Sequence, residues 1–140
     1  MSKANSYISE ELRQKVAIRA NRTCEYCLLQ EEDAYFGCEI DHIISVKHNG
    51  LTNLDNLAFA CLACNRYKGS DIASYTSSQI LTRFFNPRID VWNEHFTIKE
   101  TEIIAKTPIG EVTGNIFRFN DDTRKLERLE LQAIGRYPIK

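Results

Sequence analysis

The chain has 140 residues, 43% hydrophobic and 26% charged, with a formal net charge of −1. This is enough for one domain with its own core and too little for two comfortable ones, and the balance excludes a disordered chain. Near-neutral charge excludes a protein held on nucleic acid by bulk charge alone, and no apolar run approaches the roughly 18 residues of a membrane span. The polar start "MSKANSYISEELRQK" has no apolar signal segment, so a cytoplasmic address and no membrane partner are expected.

In chain order, "SEELRQKVAIRAN" predicts a helix. Ser9 is its N-cap, Glu10 and Glu11 fill the first turn, Leu12, Val16 and Ile18 are its apolar positions, and Lys15, Arg19 and Arg22 lie toward its end. It leads into "CEYC". "AYFGCEIDHI" is rich in aromatic and β-branched residues and predicts a strand. "SVKHNGLTNLDN" is a loop with an Asn-Gly turn signal, "LAFAC" a short strand, and "ACNRYKGS" the start of a helix that Gly69 ends. Further on, "ILTRFFNPRIDVWNEHF" predicts strand, turn and short helix, and "FTIKETEIIAKT" a hairpin. Thr107 and Pro108 open a helix that turns Val112, Ile116 and Phe117 inward. "NDDTRKLERLELQAIG" is another helix, capped by Asn120 and closed by Gly135, with Leu126, Leu129 and Ala133 on one apolar stripe. The expected class is α+β. One domain over residues 1–140 is expected, with a core at about 20–72 and an accessory segment at about 73–140.

Five cysteines are present. Four form two Cys-x-x-Cys knuckles, Cys24 with Cys27 and Cys61 with Cys64; Cys38 stands alone and reads as core. An odd count does not suit a disulfide framework, and a thioredoxin-like motif uses one such pair, not two. Paired thiolates from two knuckles suit tetrahedral zinc. Residues 21–70, which carry them, hold four cations against seven anions. If that acidic segment meets a phosphate backbone, a divalent cation is expected to reverse the local sign.

Asp41 and His42 are adjacent at the end of a predicted strand, where side chains alternate and point apart. Alone, such a pair is usually structural. Asn56 after the loop and Asn65 directly after the second knuckle sharpen it. Together, "CEYC" and "CEIDHIISVKHNGLTNLDNLAFACLACNRYKGS" resemble the HNH endonuclease family over about residues 22–70. The stretches "FFNPRIDVWNEHF" and "TPIGEVTGNIFRFN" are similar to segments that follow the motif in some small bacterial members. The resemblance implies a ββα-metal fold flanked here by the zinc knuckles, one catalytic divalent cation, and hydrolysis of phosphodiester bonds, usually in DNA and less often in RNA. Its three letters fall on His42, Asn56 and Asn65.

The chemistry gives each type a reason. An imidazole is mostly neutral at pH 7 and suits the base that activates water, so His42 takes that role. Asp41 and Asn65 offer hard oxygens for Mg²⁺ or Mn²⁺. Asn56 suits a brace, tying the loop backbone and so holding His42, a role the resemblance also implies. Lys68 falls three residues after Asn65 on about the same helical face, and is expected to meet a phosphate near the metal. Arg66 points elsewhere and suits a neighbouring phosphate. His48 reads as an exposed loop residue and His95 as a partly buried structural one. The alternative is a zinc-stabilised binding module, directed at nucleic acid or protein, without catalysis. Such a decayed domain is expected to have lost Asp41, His42 or Asn65 while keeping its cysteines, and this chain keeps all of them.

Overall fold

The computed structural model describes residues 6–139; the first five residues of the polar N-terminus and Lys140 lie outside them. Helix α1 (Glu10–Arg19) starts where expected, with the Ser9 hydroxyl accepting from the Leu12 amide at 3.1 Å. Its inward face is Val16 and Ala17, whereas Ile18 is exposed.

The centre is an antiparallel pair, β1 (Cys38–His42) and β2 (Leu57–Cys61), in the register Asp41 to Ala58 and His42 to Leu57. The predicted first strand is shortened at its start. Ala34–Gly37 is a turn, and Tyr35 and Phe36 stand out in solvent. Helix α2 (Leu62–Lys68) follows β2 without a gap and ends at Gly69, whose φ of 54° suits a residue without a Cβ. This is a ββα unit.

β2 is buried along its whole length, which explains an uninterrupted apolar run. Its two faces serve different clusters. Leu57 and Phe59 pack with Ile8, Val16 and Ala17 of the α1 side. Ala58 and Ala60 face the larger cluster, which holds the four knuckle cysteines and, from the second half of the chain, Phe84, Phe85, Phe96, Ile103, Val112, Phe117 and Phe119. Small side chains on that face admit the bulky ring of Tyr26, which meets Phe117 edge-on at 4.9 Å between centroids.

The second half contains β3 (Ala73–Tyr75) paired with β4 (Leu81–Arg83), the short helix α3 (Trp92–His95), and the hairpin β5 (Phe96–Lys99) with β6 (Glu102–Ala105). Helix α4 (Pro108–Ile116) is capped by Thr107, whose hydroxyl accepts from the Gly110 amide at 3.1 Å. Helix α5 (Asp122–Ala133) has Asp121, not Asn120, at its N-cap position, with no capping hydrogen bond from that side chain. The Asn120 carboxamide instead exchanges two hydrogen bonds with the Ile103 backbone.

α5 also turns the opposite way from its expected stripe. Leu126 and Leu129 are more than half exposed, while Arg124 and Arg128 are buried. The physical reason is partnership. Arg124 donates to the Phe117 carbonyl at 2.7 Å and Arg128 to the Thr101 carbonyl at 2.7 Å, so both guanidinium groups are buried with acceptors. Among the described residues, no helix is long and apolar enough to cross a membrane.

Candidate functional site

The four knuckle cysteines converge. Cys24, Cys27, Cys61 and Cys64 are all buried, with ligand atoms within 4.8 Å of one another. The first knuckle closes on itself through the Cys24 amide to the Leu29 carbonyl at 2.8 Å and the Leu28 amide to the Cys24 carbonyl at 2.9 Å. Leu28 takes φ 69° to make that turn, a conformation a branched residue adopts only where its surroundings enforce it. Cys61 caps α2 and Cys64 lies in its first turn. The cluster is therefore the candidate structural metal centre. Cys38, at the start of β1, is partly buried and is not part of it.

Asp41, His42 and Asn65 line one cleft of about 390 Å³ with Ser45, Lys47 and Gly69. The strand end and the helix start bring them there. Asp41 points toward α2 and is nearly sealed, at 4% exposure. Its Oδ2 accepts from the Tyr26 hydroxyl at 2.7 Å and its Oδ1 from Lys68 Nζ at 3.1 Å. Burial raises the Asp41 carboxyl above the usual range, opposed first by the Lys68 charge and then by the Tyr26 hydrogen bond.

Lys68 departs from expectation. It is 2% exposed, and its ammonium also donates to the His42 carbonyl at 2.9 Å. The reason is the packing of α2: the face that carries Asn65 lies over β1, so position 68 meets the strand rather than solvent. The phosphate contact expected of Lys68 is thus corrected to an internal ion pair. Arg66, on the other side of α2, is exposed, as is Lys47 beside the cleft.

His42 is half-buried, and its Nε2 lies 2.8 Å from the Thr52 hydroxyl. Burial lowers its pKa below the ordinary imidazole value; Asp41 opposes this and Lys68 adds to it. Asn56 ties the loop between the strands. Its Oδ1 accepts from the Ile44 amide at 2.8 Å, and its Nδ2 donates to the Ile44 and Leu51 carbonyls at 2.9 and 2.8 Å. Gly50 packs against the same carbonyl so closely that a Cβ there would lie 1.6 Å from the Ile44 oxygen. Asn65 donates its Nδ2 to Glu39 Oε2 at 2.5 Å.

Four residues of this arrangement escaped the sequence reading. Glu39 lies two before Asp41, so the period of a strand places it on the same face. Thr52 and Tyr26 carry hydroxyls inside segments already singled out. Arg124 carries no local signal at all. His48 is exposed, and His95 is partly buried with Nδ1 2.6 Å from the Thr107 hydroxyl.

A ββα unit thus stands beside a four-cysteine centre, with Asp41, His42 and Asn65 on one cleft. Residues 24–71 match the family described as HNH endonuclease. No curated protein and no solved structure matches the chain.

Proposed function

We propose that the chain is a metal-dependent endonuclease that hydrolyses phosphodiester bonds in DNA, with RNA the less favoured substrate. The observation that carries this reading is the meeting of Asp41, His42 and Asn65 at one cleft inside the HNH segment.

The four-cysteine centre fits zinc. Zn–S bonds of about 2.3 Å set tetrahedral sulfurs roughly 3.8 Å apart. The Cys27 and Cys61 sulfurs are 3.6 Å apart. Its role is structural, since all four positions are taken by protein.

The cleft fits a harder ion. The Asp41 carboxylate and the Asn65 amide oxygen are donors of the type that Mg²⁺ or Mn²⁺ prefers. Each Asp41 oxygen accepts one hydrogen bond and has a second lone pair left. A divalent ion held there supplies electrostatic stabilisation to the phosphoryl transition state and the departing oxyanion. His42 is the general base. In the tautomer whose Nε2 donates to the Thr52 hydroxyl, the lone pair lies on Nδ1, and the depressed pKa keeps it available at neutral pH. Asn56 acts through the loop, holding the strand end that carries His42. Arg66 and Lys47 offer exposed cations for the flanking phosphates.

One observation favours the alternative of a zinc-stabilised module without catalysis: both Asp41 oxygens are engaged within the protein. Supercoiled plasmid separates the two readings. Incubation with Mg²⁺ or Mn²⁺ is expected to give nicked or linear product, EDTA to abolish it, and His42→Ala to slow it by roughly 10²-fold or more. Intact plasmid at every metal concentration, with a folded zinc-loaded protein, refutes the nuclease reading.

A further inference from the structure

Arg124 lies 60 residues beyond Cys64 in the chain, yet its Nη2 donates to Cys64 Sγ at 3.2 Å and approaches Cys61 Sγ at 3.7 Å. Its Nη1 is fixed on the Phe117 carbonyl at 2.7 Å. The guanidinium is buried, so these contacts are made without competing water. Around the same centre, Tyr137 donates its hydroxyl to the Cys27 carbonyl at 2.7 Å and Trp92 its indole N–H to the Tyr26 carbonyl at 2.8 Å. Both knuckles are thus gripped by side chains from the second half of the chain.

Charge gives this arrangement a purpose. Four thiolates around a divalent ion leave a net charge of about −2 in a dry interior, which is costly unless compensated. Arg124 supplies a fixed cation against two of those sulfurs. Hydrogen bonds to ligating sulfur also draw electron density from it and reduce its nucleophilicity.

On the zinc reading above, we infer that Arg124 is an outer component of the metal centre, a positioning residue that retains the ion and shields Cys61 and Cys64 from electrophiles. The segment after residue 72 then completes the zinc site as well as the core. Only the Cys61–Cys64 knuckle meets Arg124 through sulfur. Its protection therefore has a polarity: loss of Arg124 exposes those two thiolates before Cys24 and Cys27.

The same helix provides a control. Arg128 is as deeply buried, but its partners are the Thr101 carbonyl and the Asn120 side chain, with no sulfur among them. The test uses full-length protein with zinc stoichiometry measured first. Zinc release to a chromophoric chelator and site-resolved N-ethylmaleimide labelling by mass spectrometry are then followed for wild type, Arg124→Met, Arg124→Lys and Arg128→Met. Arg124→Met is expected to release zinc roughly 10- to 100-fold faster, the range for lost outer partners of a metal site. Its labelling is expected to begin at Cys61 and Cys64. Arg124→Lys, which keeps the charge but not the fork, should fall between. If Arg124→Met does not accumulate as folded protein, Arg124→Lys against Arg128→Met carries the comparison. Release within twofold of wild type, equal acceleration by Arg128→Met, or labelling without preference for Cys61 and Cys64 each overturns the inference. Wild-type protein purified without chelator that holds no zinc overturns the zinc reading itself, and this inference with it.

Discussion

Lys68 Nζ lies 3.1 Å from Asp41 Oδ1, and both side chains are sealed from solvent. The pair joins the last residue of α2 to the strand that carries the candidate base. A buried pair contributes little over an apolar replacement of both partners, but losing one partner leaves an uncompensated charge. Lys68→Met is therefore expected to destabilise the zinc-loaded protein by about 3–5 kcal/mol. Urea unfolding of wild type and variant measures this. A change below about 1 kcal/mol, typical of a surface lysine, contradicts the buried pair.

Asn56 and Gly50 hold the same loop by different means. Asn56→Ala removes three hydrogen bonds to the backbone of Ile44 and Leu51, worth about 1 kcal/mol each. Gly50→Ala places a methyl group on the Ile44 carbonyl. Both variants should speed hydrogen exchange at the Ile44 amide and lower plasmid cleavage while leaving zinc bound. Unchanged exchange at Ile44 in both would remove the brace from the account.

The sequence carried the local chemistry well and the depth poorly. Cys24, Cys27, Cys61 and Cys64 were legible because ligand spacing is a covalent property of the chain. β2 was legible to the residue because a five-residue apolar run bounded by polar turns has few other uses. The facing of Asn65 and Lys68 onto one side of α2 followed from helical period, but whether that side met water or protein did not. That depends on what packs over it, here β1. The inversion of α5 has the same origin. Leu126 and Leu129 announce an apolar stripe, while the acceptors that draw Arg124 and Arg128 inward come from segments remote from that helix or from the loop before it.

On the proposed mechanism, the pH dependence of cleavage follows from His42. A general base acts in its neutral form, and burial sets the His42 pKa below the ordinary value near 6.5. Cleavage should therefore rise with pH through a midpoint below about 6.5 and be level by neutrality. His42→Ala should lower the plateau by roughly 10²-fold or more. Rates of single-turnover cleavage across pH 5–8 test this, with metal kept saturating. A midpoint above about 7 contradicts a desolvated imidazole as the base.

Tyr26 allows the sharpest test of the link between the four-cysteine centre and the proposed divalent-ion site. It sits between Cys24 and Cys27 in the first knuckle, is fully buried, and sends its hydroxyl to Asp41 Oδ2 at 2.7 Å. Lys68 reaches the other oxygen from just beyond the second knuckle. Each knuckle thus holds one side of the same carboxylate. Tyr26→Phe keeps the ring that packs on Phe117 and removes only the donor. The lost hydrogen bond to a charged, buried acceptor is expected to cost about 1–3 kcal/mol of stability. It also frees Asp41 to rotate about its side chain, so the ordered arrangement of its oxygens at the cleft is lost. Zinc content should stay at the wild-type level, because no sulfur ligand is touched. Mn²⁺ affinity, read by electron paramagnetic resonance of the free ion, should fall by about tenfold, the low end for a lost outer partner. Equal Mn²⁺ affinity with full zinc occupancy would show that Asp41 is held by Lys68 alone, or that the divalent ion binds without Asp41; Asp41→Asn in the same titration decides between them, leaving affinity unchanged only in the second case.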